Sequence, residues 1–108
     1  MTTRIAAFVF SDLVGSSALR SRLGDDAVDP LRRAIHAVLQ DAVAAHHGEE
    51  VKNLGDGIMA AFDSAAQAVS SGIAMQQGVA RLAAAQPGIE LGLRVGVSAG
   101  EATVEQDD

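Results

Sequence analysis

Residues Leu91 to Ala99 alternate without interruption, with Leu91, Leu93, Val95, Val97 and Ala99 on one side of an extended chain and Gly92, Arg94, Gly96, Ser98 and Gly100 on the other. Such a strand commits the chain to a sheet with one face against a core and one face nearly bare, on which Arg94 stands alone. A second strand, Arg4 to Asp12, is a continuous apolar run ending on an acid, and reads as the central strand, buried on both faces. Gly15, Ser16 and Ser17 then supply a turn and an N-cap for a short helix to about Leu23, broken by Gly24-Asp25-Asp26. From about Pro30 to His47, Leu31, Ile35, Val38, Leu39 and Ala42 recur at helical spacing, with Arg32 and Arg33 largely on the other side and Gly48 as the stop. Glu49 to Leu54 and Ile58 to Phe62 are short β-like runs joined by Gly55-Asp56-Gly57, a hairpin signal. Asp63 and Ser64 are placed to cap an alanine-rich helix to about Ala85, which Pro87-Gly88 ends. The order strand, two helices, strand, strand, helix, strand predicts a ferredoxin-like α/β (α+β) arrangement with an antiparallel hairpin inside it.

A chain of 108 residues buries roughly two thirds of the surface its unfolded form exposes and is expected to form one domain. The absence of cysteine excludes a disulfide scaffold, a thiolate zinc site and a cysteine nucleophile, and makes the cytoplasm the expected location. The longest apolar run, Ile5 to Phe10, falls far short of the ~20 residues that span a bilayer, and Met1 to Arg4 carry no signal-peptide pattern. Neither a membrane span nor secretion is therefore expected. A formal charge of -6 repels a phosphate backbone, and the only aromatics are 3 Phe, so nucleic acid is not an expected partner.

Asp12 stands between a buried strand and a Gly-Ser-Ser turn that opens a helix, which places a carboxylate beside a row of backbone N–H groups. That arrangement suits a hard cation with its phosphate, but taken alone it reads more readily as a plain helix cap. Asp56 in Gly-Asp-Gly is ordinary turn chemistry when taken alone. The topology, however, makes the hairpin a neighbour of the first strand and brings Asp12 and Asp56 to one end of the sheet. Two carboxylates there repel, and a divalent cation compensates. Lys52, four residues before Asp56, is expected on the same face of an extended strand, or else is a solvated lysine beside Glu49 and Glu50. Arg94 among glycines is placed to meet an anion, or lies on a face that further chain covers. His36, His46 and His47 share no metal-ligand spacing with a third partner, and His46 and His47 read as surface residues favoured by the helix dipole. No serine or threonine falls in a nucleophile elbow.

Taken together, Phe10 to Ser17 (FSDLVGSS), Val51 to Gly57 (VKNLGDG) and Leu93 to Glu101 (LRVGVSAGE) resemble the class III adenylyl and guanylyl cyclase catalytic domain, over nearly the whole chain. The resemblance implies that Asp12 and Asp56 are the metal-binding aspartates, holding two Mg²⁺ or Mn²⁺ ions together with the carbonyl of Leu13. It implies that the backbone of Val14, Gly15, Ser16 and Ser17 cradles a triphosphate, that Lys52 reads the purine as in adenylyl cyclases, and that Arg94 contacts the terminal phosphates. ATP is the implied substrate, with in-line attack of the 3′-hydroxyl on the α-phosphorus giving 3′,5′-cyclic AMP and pyrophosphate. Family sites form between two subunits, so a dimer is implied as well.

The family pattern continues past the last strand into a D-x-x-G segment and then a helix bearing an asparagine and an arginine. Asp107 or Asp108 stands where that aspartate falls, Asp108 being preferred, and the asparagine and arginine have no counterpart here. The 108 residues are thus expected to be the N-terminal part of a cyclase domain, incomplete at the C-terminus and with negligible turnover alone. The bare glycine face and open strand edges add the expectation of a homodimer or higher assembly, with strand exchange as one form of it. The competing reading is a non-catalytic cyclase-homology module that binds nucleotide or dimerises to regulate a partner.

Overall fold

The computed structural model describes residues 2–104. Strand β1 (Thr2–Val14) is followed by helices α1 (Ser16–Leu23) and α2 (Asp25–Ala45), hairpin strands β2 (Glu49–Asn53) and β3 (Ile58–Phe62), helix α3 (Ala65–Ala84) and strand β4 (Gly92–Val104). The sheet order is β2-β3-β1-β4, with every neighbouring pair antiparallel. β1 and β2 therefore run parallel with β3 inserted between them, which is the split crossover of a ferredoxin-like fold, as the element order predicts. β1 and β4 pair from Thr2↔Val104 to Val14↔Gly92, so both strands outrun their apolar cores because cross-strand pairing, not burial, sets their length.

Both crossovers lay their helices on the same side of the sheet. There Ala7, Val9 and Leu13 of β1 and Ile58, Ala60 and Phe62 of β3 are buried against Val28, Ile35 and Leu39 of α2 and Ala68, Met75 and Val79 of α3. The opposite face carries Phe10 and Val14 at 41% and 48% exposure. β1 is thus buried on one face only, contrary to expectation, because no helix among the described residues lies over its even positions. On β4, Leu93 is buried and Val95 partly so where α3 approaches at Gly72, whereas Val97, at the edge of that approach, and Ala99 on the same side are exposed.

Helix α2 starts at Asp25 rather than near Pro30, which sits inside it. The proline cannot donate to the Asp26 carbonyl, but buried Val28, whose N–H meets the Gly24 carbonyl at 3.0 Å, fastens the first turn to the core. At the other end the left-handed residue is His47 (φ 61°) and not Gly48. His47 N–H donates to Ala44 at 3.3 Å and Gly48 N–H to Val43 at 2.9 Å, the paired bonds that close a helix through one left-handed position. His46 is half-buried rather than on the surface, with Nδ1 2.9 Å from the Ala42 carbonyl. No helix of the described residues is long and apolar enough to cross a membrane.

Candidate active site

The β2–β3 hairpin assembles the site. Asn53 Oδ1 accepts the Gly55 N–H at 2.8 Å, the Leu54 N–H donates to the Gly57 carbonyl at 2.8 Å, and Gly55 takes the left-handed conformation (φ 87°) that reverses the chain. Gly57 then passes so close to β1 that a Cβ there would stand 1.7 Å from the Ser11 carbonyl oxygen. The buried Ser11 hydroxyl accepts the Ile58 N–H at 3.1 Å, and the Leu13 N–H donates to the Asp56 carbonyl at 2.9 Å. The hairpin tip is laced to β1 on both sides of Asp12, and the backbones of Asp12 and Asp56 are neighbours, as the topology predicts.

From these neighbouring backbones the two carboxylates diverge. Asp12, at an even position of β1, meets Arg94 directly across the β1–β4 ladder, Arg94 Nη2 donating to Asp12 Oδ2 on the open face. Asp12 therefore does not cap α1, and the anion that Arg94 meets is its own cross-strand aspartate. With side chains 53% and 73% exposed, this pair contributes ~1 kcal/mol at most. Asp56 instead reaches the helix layer, where Arg32 Nε lies 3.1 Å from Asp56 Oδ1. Arg32 Nε is buried and its N–H makes no aligned hydrogen bond, so the contact is an attraction of charges rather than a directed bond.

Arg32 is the residue that sequence reasoning missed. One turn on, His36 Nε2 lies 2.9 Å from Glu50 Oε1, so α2 presents a basic pair at i and i+4 to two acids of the hairpin. That spacing, flanking the Leu31, Ile35, Leu39 stripe, was the available signal.

Gly15, the N-cap of α1, is left-handed (φ 70°), and no side chain among the described residues caps the helix, so its first-turn N–H groups lack a side-chain partner there. Ser16 and Ser17 line a cleft of about 470 Å³ together with Leu13, Arg20, Arg32 and Asp56, a size suited to a small ligand. On its wall Arg20 straps α1 to α2 through Asp25 and Asp29, and the Asp25 hydrogen bond raises the guanidinium pKa further. Val14 lies outside this cleft, on the open face.

Lys52 does not share a face with Asp56. The reversal at Gly55 ends the strand period between them, and the bulge between Glu50 and Lys52 turns Lys52 away from the face of Glu50. Lys52 pairs with Met59, which pairs with Phe10, which pairs with Gly96, in one row across the open face. Glu50 is engaged by His36 rather than by Lys52. Asp107 and Asp108 lie outside the described residues.

The sequence profile of the adenylate and guanylate cyclase catalytic domain matches residues 2–107. The chain is 36% identical over 106 residues to "Putative adenylate cyclase 3" of Rhizobium meliloti (strain 1021), covering 97% of this chain and 18% of that protein. It is 32% identical over 108 residues to "Adenylate cyclase" of Streptomyces coelicolor, covering 100% of this chain and 27% of that protein. It thus spans well under a third of either relative. The crystal structure of the adenylyl cyclase CyaB from P. aeruginosa superposes with a TM-score of 0.79 at 24% identity, over 93% of this chain and 58% of that one, which shows a common fold. With the profile spanning nearly every residue and the fold in agreement, the chain belongs to the adenylate and guanylate cyclase catalytic domain family.

Proposed function

We propose that residues 1–108 form the N-terminal part of an adenylyl cyclase catalytic domain that converts ATP to 3′,5′-cyclic AMP and pyrophosphate in the cytoplasm. The observation that carries this reading is the lacing of the hairpin tip to β1, which makes Asp12 and Asp56 neighbours beside the uncapped start of α1.

Among the described residues no group of three or more histidine, aspartate or glutamate side chains is arranged to hold a metal ion. The donor set nevertheless fits Mg²⁺ or Mn²⁺, which are held by one or two carboxylates plus water and substrate phosphates rather than by an all-protein cage. Asp12 and Asp56 each commit one carboxylate oxygen to an arginine, and their other oxygens have no ion-pair or hydrogen-bond partner among the described residues. These two side chains and the Leu13 carbonyl would hold the ions, two in number. When bound, they supply Lewis acidity toward the ribose 3′-hydroxyl and the phosphate oxygens.

The backbone of Val14, Gly15, Ser16 and Ser17 receives the triphosphate, since the first-turn N–H groups of α1 point a positive dipole end at it. Arg94 exchanges Asp12 for a terminal phosphate, and Lys52 donates to N1 of adenine, an acceptor that guanine lacks. Because Lys52 and Arg94 stand on the open face, they meet a nucleotide when a second copy covers that face, in a homodimer or higher assembly that exchanges strands in one form. The aspartate of the D-x-x-G segment, Asp108 in this reading, also contacts the purine.

One observation favours the alternative, a non-catalytic nucleotide-binding or dimerising module: both aspartates already have arginine counter-ions. Cyclic AMP production from ATP and Mn²⁺ separates the two. The chain alone is expected to show negligible turnover, because absent transition-state donors cost ~10²-fold or more each, and a separately expressed segment continuing the domain restores it. Robust activity from the chain alone refutes the incompleteness, and no activity in either setting favours the module.

A further inference from the structure

Helix α2 turns two basic side chains, one turn apart, onto the hairpin: His36 onto Glu50 and Arg32 onto Asp56. The Arg32 contact has three features that the proposed cyclase chemistry does not use. It is made by a single nitrogen to a single oxygen, at 3.1 Å, without hydrogen-bond alignment, although Nε is buried and has no other partner among the described residues. It draws the Asp56 carboxylate toward the helix layer, while Asp12 projects from an even position of β1 onto the open face. And it involves an aspartate whose backbone is fixed, through its carbonyl to Leu13 N–H and through Gly57 against Ser11, so that only the side chain is left to move.

We propose that Arg32 is a built-in counter-cation for Asp56, holding the carboxylate on α2 when no divalent ion is present and competing with that ion for it. The inference rests on the metal reading of Asp12 and Asp56 given above. A guanidinium charge beside a carboxylate lowers its attraction for a second cation, and a divalent ion drawing Asp56 toward Asp12 must overcome the pairing. Released from Asp56, Arg32 still borders the cleft beside Ser16 and Ser17, where a phosphate can take the place of the lost carboxylate. Arg32 is therefore a positioning residue, and its effect falls on the ion alone more than on the ion with nucleotide.

The test is a titration with Mn²⁺ alone, followed by electron paramagnetic resonance of the free ion. Wild type is compared with Arg32→Gln, with Arg32→Met, which keeps the apolar stem, and with Arg32→Lys, which keeps the charge. The neutral variants are expected to bind Mn²⁺ about three- to tenfold more tightly, the range a half-buried ion pair supports, with Arg32→Lys staying near wild type. Unchanged or weaker binding in both neutral variants overturns the competition and makes Arg32 an outer support of the ligand instead. Absence of Mn²⁺ binding in wild type and variants alike overturns the metal reading itself, and this inference with it.

Discussion

Along β1, Ala7, Val9 and Leu13 are buried beneath the helices while Phe10 and Val14, interleaved with them, are exposed on the other face. The covered face is built of small and branched apolar side chains that interlock with α2 and α3. The open face carries Lys52, Arg94 and a run of glycine and serine that fills no core. The two aspartates divide along the same line, Asp12 pairing on the open face and Asp56 toward the helix layer. One sheet therefore separates a packed face from an open one, and the candidate site lies where the hairpin tip crosses β1 from one to the other.

Substitutions on the two sides should respond in different currencies. Gly57→Ala has the largest expected effect, because its Cβ meets the Ser11 backbone oxygen and neither strand can yield without breaking the lacing. A loss of ~4 kcal/mol or more in urea unfolding is expected, a large share of a small domain's stability. An alanine tolerated there at under ~1 kcal/mol would mean that the hairpin tip is not held against β1. On the open face, Lys52→Glu should leave unfolding within ~0.5 kcal/mol of wild type. In a completed form of the domain it should lower the preference for ATP over GTP by about tenfold, the worth of one hydrogen bond to a buried partner. Unchanged selectivity would return Lys52 to the role of a solvated side chain.

How much of this was legible in the sequence depends on the range of the forces involved. The limits of β3 and the turn at Gly55 to Gly57 follow from local propensity and turn chemistry, and the structure places them as expected. The approach of Asp12 and Asp56 followed from topology, since a split crossover must put β3 beside β1. A continuous apolar run does not reveal which face its helices will cover, so β1 read as buried on both sides. Lys52 does not share the face of Asp56 because the strand ends at Asn53 and the chain reverses at the left-handed Gly55 between them. Arg32 was missed for a third reason. Its partner depends on how α2 is rotated over the hairpin, a tertiary fact that its place beside the apolar stripe only hinted at.

The central claim is that Asp12 and Asp56 act together on one cation–nucleotide complex, and thermal unfolding with Mn²⁺ and a non-hydrolysable ATP analogue tests it most directly. At ~100-fold excess over the dissociation constant, wild type should gain ~2.7 kcal/mol, an upward shift in melting temperature on the order of 10 °C. Asp12→Asn and Asp56→Asn should each abolish that shift while leaving the unliganded melting temperature close to wild type. A shift that survives intact in both variants would contradict the account.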